Sequence, residues 1–190
     1  MSVHSQPYLT ADDYLALDRA SEIKSEYLDG EMVAMTGASE SHNLIVLNVL
    51  GELRQQLKQR PCRVYPSDMR VHVPVTGLYT YPDGTVVCGE PRFEEIGGYT
   101  LLNPTLIVEV LSPSTEKYDR GKKFEHYRTL DSLAEYLLVS QDRFLVEQFV
   151  RQAGGAWLFT ATGGRDGVVQ LPSLGCTLAL SEIYDKVPLS

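Results

Sequence analysis

The chain has 190 residues, about the size of one domain, and 43% of them are hydrophobic, enough to build a core and too many for a disordered segment. Its 17 Lys and Arg stand against 25 Asp and Glu, a net charge of −8. That balance excludes a polybasic nucleic-acid wrapper, but not a phosphate-binding protein that works through a local basic patch or a metal. The opening MSVHSQPYLT has no basic segment followed by an apolar one, so no secretory signal is expected. The most apolar run, Leu44 to Leu50, falls far short of the roughly 20 residues needed to cross a membrane. Cys62, Cys88 and Cys176 are odd in number, far apart and without a CxxC pair, so reduced thiols in a cytoplasmic protein are expected.

Thr10 to Asp13 reads as a capping box that starts a helix, with Tyr14, Leu15 and Leu17 as its apolar face. Residues 25–28 and 31–34 flank Asp29-Gly30, a hairpin signal. Ser39 or Ser41 opens a second helix, whose Leu44, Leu47, Leu50, Leu53 and Leu57 recur at helical spacing up to Pro61. Short strands follow at 63–65, 69–73 and 85–88. Leu106 to Leu111, LIVEVL, is apolar on both faces apart from one carboxylate, as a central strand requires. A helix is expected over about 119–130 and a strand over 135–140, so 106–140 reads as a right-handed βαβ unit. The segments 144–150, 156–162 and 168–171 alternate between Gly-rich turns, the pattern of an antiparallel meander. The whole reads as a single α/β domain over 1–190 with a mixed sheet.

Glu109 is the most informative residue. Strand alternation puts Ile107, Glu109 and Leu111 on one face and Leu106, Val108 and Val110 on the other. A carboxylate facing apolar neighbours costs several kcal/mol, as an order of magnitude, unless it is paired, protonated or metal-bound. The plain alternative is a salt bridge to an Arg on the covering helix. Asp83, after Pro82 at the mouth of a short strand, is either a turn residue in Pro-Asp-Gly or the second carboxylate of a site for a hard cation such as Mg²⁺. On the helix near 119–130, Phe124, Tyr127 and Leu130 define the apolar face. Lys123 lies within about 40° of that face's centre and Lys122 about 140° away. Lys123 is therefore a snorkelling side chain, a counter-ion for Glu109, or its catalytic partner. Lys122 is expected in solvent. Arg120 also points inward by the same arithmetic.

Pro82-Asp83, Glu109-Val110-Leu111 and Lys123 together resemble a variant of the PD-(D/E)XK nuclease superfamily. YLDGE at 27–31, YPDGTVVC at 81–88, LIVEVLSPST at 106–115, DRGKKFEHYR at 119–128 and EYLLV at 135–139 resemble, more closely, the Uma family of restriction-endonuclease-like bacterial proteins. The resemblance runs from about Thr10 to Tyr184. It implies a restriction-endonuclease-like core, a mixed central β-sheet flanked by helices, and a metal-dependent phosphodiesterase site with Asp83 and Glu109 as ligands of Mg²⁺ or Mn²⁺. The superfamily's lysine slot two residues after Glu109 holds Leu111, and Lys123 matches the lysine that such variants take from the next helix. Gly84 stands where an apolar strand former is the pattern, which loosens the expected hold on Asp83. By the same resemblance Glu26 is an outer ligand or orients a water; read from the residues alone it is a hairpin residue. His42 matches a recurrent histidine near the start of the second helix, which could touch phosphate or water, although a local hydrogen bond at the helix entry is the commoner use of such a residue. Tyr127, one turn after Lys123, either supports the lysine or is a core aromatic.

Residues 51–75 carry Arg54, Lys58, Arg60, Arg63 and Arg70 against two acids. Residues 114–130 carry Lys117, Arg120, Lys122, Lys123 and Arg128 against three. Both read either as solvated faces or as a basic rim on an acidic body. The resulting expectation is metal-assisted hydrolysis of DNA, with Asp83, Glu109, Lys123 and Glu26 catalytic and His42, Arg120 and Tyr127 against substrate. A homodimer would suit cleavage of both strands. Two other classes fit the same residues: a catalytically silent nuclease fold that binds nucleic acid or a protein, and a hydrolase of smaller phosphate esters. The metal-site reading requires the Asp83 and Glu109 carboxylates close enough to share a cation. Val108, Val110, Leu137, Val139, Leu44, Leu47, Phe124 and Leu130 are the expected core.

Overall fold

The computed structural model describes residues 8–35, 37–95 and 99–189, so most of the stretch read for a signal sequence lies outside the described residues. Helix α1 (Ala11–Ala20) starts where the Thr10 hydroxyl accepts from the Asp13 N–H and the Asp13 carboxylate accepts from the Thr10 N–H. Strands β1 (Ser25–Leu28) and β2 (Glu31–Ala34) form a hairpin. Its turn residues Asp29 and Gly30 both have positive φ, 55° and 87°, as a two-residue turn of matching twist demands. Ser39 caps α2 (Glu40–Gln56) by accepting from the His42 N–H at 3.1 Å.

The buried face of α2 is Ile45, Val49 and Leu53, continued by Leu57. This corrects the leucine row expected from sequence. Leu47 is 69% exposed, and Leu44 and Leu50 are half-buried. At 100° per residue a spacing of three drifts about 60° per step, and a spacing of four only about 40°. The row at 45, 49, 53 and 57 therefore stays on the sheet for longer than the row at 44, 47 and 50.

A six-stranded sheet forms the centre. Its order is β11 (Trp157–Gly163), β10 (Leu145–Arg151), β9 (Glu135–Ser140), β8 (Leu106–Leu111), β6 (Gly84–Cys88) and β3 (Cys62–Pro66). β8 and β9 are parallel and the other pairs antiparallel, so the sheet is mixed and 106–140 is a βαβ unit. Every residue of β8 is buried. Leu106, Val108 and Val110 pack with α2, α5 (Leu180–Ile183) and the hairpin of β12 (Val168–Leu171) with β13 (Cys176–Ala179). β12 pairs with β13 in a separate two-stranded sheet, so the C-terminal meander comprises β9, β10 and β11 alone. Cys62 and Cys88 face each other across β3 and β6 with Cα atoms 4.0 Å apart, and they form a disulfide. This overturns the expectation of reduced thiols. Strand register brings together two cysteines 26 residues apart, and sequence spacing does not show it. Cys176 is free and buried.

The other face of β8, carrying Ile107 and Leu111, is covered by a second sheet of order β2, β1, β5 (Leu78–Thr80), β4 (Arg70–Val73) and β7 (Thr100–Leu101). Val71, Val73, Leu78 and Leu101 of that sheet share a core with Tyr127, Leu130, Tyr136 and Leu138. α1 closes its far side through Tyr14, Leu15, Tyr27 and Tyr79. A buried pair, Arg70 with Asp18 at 2.7 Å, fastens α1 to β4, which removes Arg70 from the basic rim. The chain passes from the second sheet to the first through Tyr81, Pro82 and Asp83, between β5 and β6. The helical stretch 116–127 consists of α3 (Glu116–Tyr118), a π-helical turn (Asp119–Lys123) and α4 (Phe124–Tyr127). It ends before Leu130. Val108, Val110, Leu130, Leu137 and Val139 are buried as expected, and Phe124 is half-buried. Among the described residues no helix is long and apolar enough to cross a membrane.

The phase of α2 has a direct test. Ile45→Ala should lower unfolding free energy by about 2–5 kcal/mol, whereas Leu47→Ala should stay within about 0.5 kcal/mol of the parent in the same urea titration.

Candidate active site

Because Glu109 lies on the β8 face that the second sheet covers, it sits between the two sheets, 4% exposed. The π-helical turn carries Lys123 into the same space, also 4% exposed, while Lys122 is exposed. The Lys123 ammonium lies 3.0 Å from Glu109 Oε1, 3.0 Å from Glu26 Oε1 on β1 and 3.5 Å from Asp119 Oδ1. The Tyr127 hydroxyl donates to Glu109 Oε1 at 2.8 Å, and the Thr80 hydroxyl at the end of β5 donates to Glu26 Oε1. One ammonium is thus surrounded by three carboxylates. π-helical turns inside α-helices occur frequently at functional sites.

Asp83 stands at the edge of this cluster. Its Oδ2 accepts from the Val110 N–H at 2.7 Å, and its Oδ1 lies 3.0 Å from His42 Nε2 in the first turn of α2. The Asp83 N–H points to Glu109 Oε2 at 3.5 Å, a long contact. Glu109 therefore uses Oε1 for Tyr127 and Lys123 and keeps Oε2 toward Asp83. Gly84 belongs to the packing here. A Cβ at that position would lie 2.5 Å from Leu50 Cδ2 of α2. The missing side chain lets α2 approach, and α2 carries His42 to Asp83.

Of the residues singled out from sequence, Asp83, Glu109, Lys123, Glu26, His42 and Tyr127 are brought together. Arg120 is not. Its guanidinium holds Glu116 at 2.8 Å and contacts Glu147 on β10. Sequence reasoning does not single out Asp119 or Thr80 as site residues. Asp119 stands four residues before Lys123, a pairing distance on any helix, and that signal was available. Thr80 reaches Glu26 only through sheet pairing.

The protonation pattern follows from this crowding. Burial pushes the Glu109 carboxyl up to about 8 against the pull of Lys123, with Asp119 and Asp83 adding to the rise. Burial alone would lower Lys123, but Glu109, Glu26 and Asp119 outweigh it and hold the ammonium well above its ordinary value. Burial and the Glu109 charge raise Tyr127. Glu135 on β9 is a contrasting case. It is also buried, and it spends itself on Ser173 and Gln148 in a purely structural role.

A family model named Uma2, described as "Putative restriction endonuclease", matches residues 11–181. The chain belongs to the Uma2 family. Two uncharacterized proteins of Synechocystis sp., sll1609 and slr1290, are each 35% identical to it. The first match spans 90% of this chain and 96% of the relative, and the second 94% and 92%. A crystal structure described as a putative nuclease belonging to DUF820 from Anabaena variabilis superposes with a TM-score of 0.71 at 22% identity. The match covers 86% of this chain and 91% of the other, and it shows that the two share a fold.

The chemistry of this Uma2 site suits a hard divalent cation. Asp83 and Glu109 offer oxygen donors, with Glu109 Oε2 3.5 Å from the Asp83 backbone nitrogen, and each carboxylate retains lone pairs beyond its present bonds. Among the described residues no group of three or more His, Cys, Asp or Glu side chains is arranged to hold a metal. Two carboxylates, with water and substrate oxygens completing the shell, match how Mg²⁺ is usually bound.

Two outcomes are expected. Lys123→Met should destabilise the protein by about 3–5 kcal/mol, because it strands buried carboxylates. Adding Glu109→Gln should recover part of that loss in a double-mutant cycle. The second concerns pH. Glu109 binds its proton more tightly folded than unfolded, so its contribution is complete below its unfolded value and fades as pH rises through about 8. In chelator, Glu109→Gln should therefore flatten the fall in melting temperature between pH 5 and 8. An unchanged slope would show that Glu109 is not the group responsible.

Proposed function

We propose that the chain is a Mg²⁺- or Mn²⁺-dependent endonuclease that hydrolyses phosphodiester bonds of DNA. The observation that carries the reading is the Lys123 ammonium 3.0 Å from a Glu109 carboxylate whose second oxygen lies 3.5 Å from the Asp83 backbone nitrogen, in a family described as "Putative restriction endonuclease". Asp83 and Glu109 would hold the cation, which when bound supplies Lewis-acid polarisation of a phosphoryl oxygen and an acidified water.

The remaining residues orient and stabilise. The Val110 N–H and His42 fix the two oxygens of Asp83, and Tyr127 fixes Glu109. Lys123 stays protonated among its three carboxylates, which favours a stabiliser of negative charge developing on the phosphoryl group over a proton acceptor. Glu26 and Asp119 then act as positioning residues, holding the ammonium in place before substrate arrives. His42 also stands where it can meet a phosphate at the site's edge.

The test is cleavage of supercoiled and single-stranded DNA with Mg²⁺ or Mn²⁺, beside Asp83→Asn and Glu109→Gln. Wild type should nick or cut, and each variant should lose on the order of 10²-fold or more in single-turnover rate while melting as a folded protein. Calorimetric titration with Mn²⁺ should give a signal that Glu109→Gln abolishes. A wild type that neither cleaves DNA nor binds Mn²⁺ would sink the proposal.

A further inference from the structure

If the chain cuts DNA, the backbone on either side of the site needs a track. This question rests on the nuclease reading. Of the five cations in residues 51–75, two are committed elsewhere. Arg60 holds the carbonyls of Leu174 and Gly175, and Arg70 is buried against Asp18. The other three, Arg54, Lys58 and Arg63, are exposed and line one groove of about 720 Å³ between the end of α2 and the edge strand β3. No acidic residue lines it. Arg63 donates to the Gly89 carbonyl at 3.3 Å and lies 3.7 Å from Glu90, whose side chain is 92% exposed and easily displaced. On a chain of net charge −8, this is a local concentration of positive charge.

Both walls of the groove begin at the site. α2 starts by placing His42 on Asp83. β3 ends with Pro66 paired to Gly84, the residue after Asp83. From there the helix runs to Arg54, about 18 Å at 1.5 Å per residue, and the strand runs back to Arg63, about 10 Å at 3.3 Å per residue. Gln55 and the half-buried Tyr65 add a polar and an aromatic surface to the groove.

We propose that this groove carries the nucleic-acid backbone away from the site, with Arg54, Lys58 and Arg63 as its phosphate contacts. They meet phosphates about three to seven nucleotides from the reacting one, at 3.4 Å per nucleotide. The contacts are to the backbone, so they set affinity and position without reading sequence.

The test compares Arg54→Gln/Lys58→Gln/Arg63→Gln with a charge-matched control, Arg143→Gln/Arg165→Gln/Lys186→Gln, and with wild type. Fluorescence anisotropy of a labelled duplex and of a labelled single strand in Ca²⁺ gives affinity across a salt series. The groove variant should bind at least tenfold more weakly at 0.1 M salt. Its slope of log affinity against log salt should be shallower by about 2.7, three contacts at about 0.9 each on duplex. The control should stay within about threefold of wild type. Equal affinities of wild type and groove variant, or equal losses in groove variant and control, would overturn the groove while leaving cleavage by wild type as separate support for the nuclease. If wild type binds neither duplex nor single strand, the groove and the nuclease reading both fall.

Discussion

The Lys123 ammonium, buried among Glu26, Glu109 and Asp119, is the interaction on which the arrangement of the two sheets depends. β8 could not carry Glu109 through the core without an opposite charge, since an isolated buried carboxylate costs several kcal/mol or gives up its charge. The helical stretch after β8 supplies that charge, and the second sheet brings Glu26 and Thr80 to fix its position. One cation facing three carboxylates is still underpaid electrostatically. Burial above all, with the charges of Asp119 and Asp83 adding to it, makes Glu109 hold its proton. Stability and chemistry therefore draw on the same groups.

Asp83 shows how packing sets chemistry. Its position is fixed by the Val110 N–H across the β6–β8 pair and by His42 from α2. α2 reaches that position because Gly84 leaves room for Leu50. From sequence, Gly84 looked like a weakness in the strand. In the structure it is the spacer that lets the helix seat, and Asp83 is held by two partners despite it.

Much of the first sheet was legible in residues 106–140. β8 is apolar on both faces, and two strands joined by a helix have one preferred handedness. The inward phase of Lys123 followed from its spacing to Phe124, Tyr127 and Leu130. Signals spread over distant segments were harder to see. β5 and β7 are too short for any alternation to show, and the Cys62–Cys88 pairing is visible only once β3 and β6 are in register. The α2 face is not legible from its leucines, because their spacing of three drifts off the sheet sooner than the row of Ile45, Val49 and Leu53. In the site, the carboxylates and the lysine could be picked from local pattern. Their mutual partners could not, because Glu26 meets Thr80 and Lys123 only through tertiary structure.

Glu109, Asp119, Lys123 and Tyr127 come from one stretch, residues 109–127, but the site is completed only by parts of the chain that are far away. Glu26 and Thr80 are separated by 54 residues, and His42 and Asp83 by 41. No hairpin or single helix contains a working subset. A chain emerging during synthesis, or one partly unfolded by heat, therefore holds at most the 109–127 part of the constellation and lacks Glu26, Asp83 and His42 around it. Contacts of such long range also belong to slow-forming topologies. The complete constellation therefore arrives only with the completed native state, as a consequence of where these side chains lie along the chain.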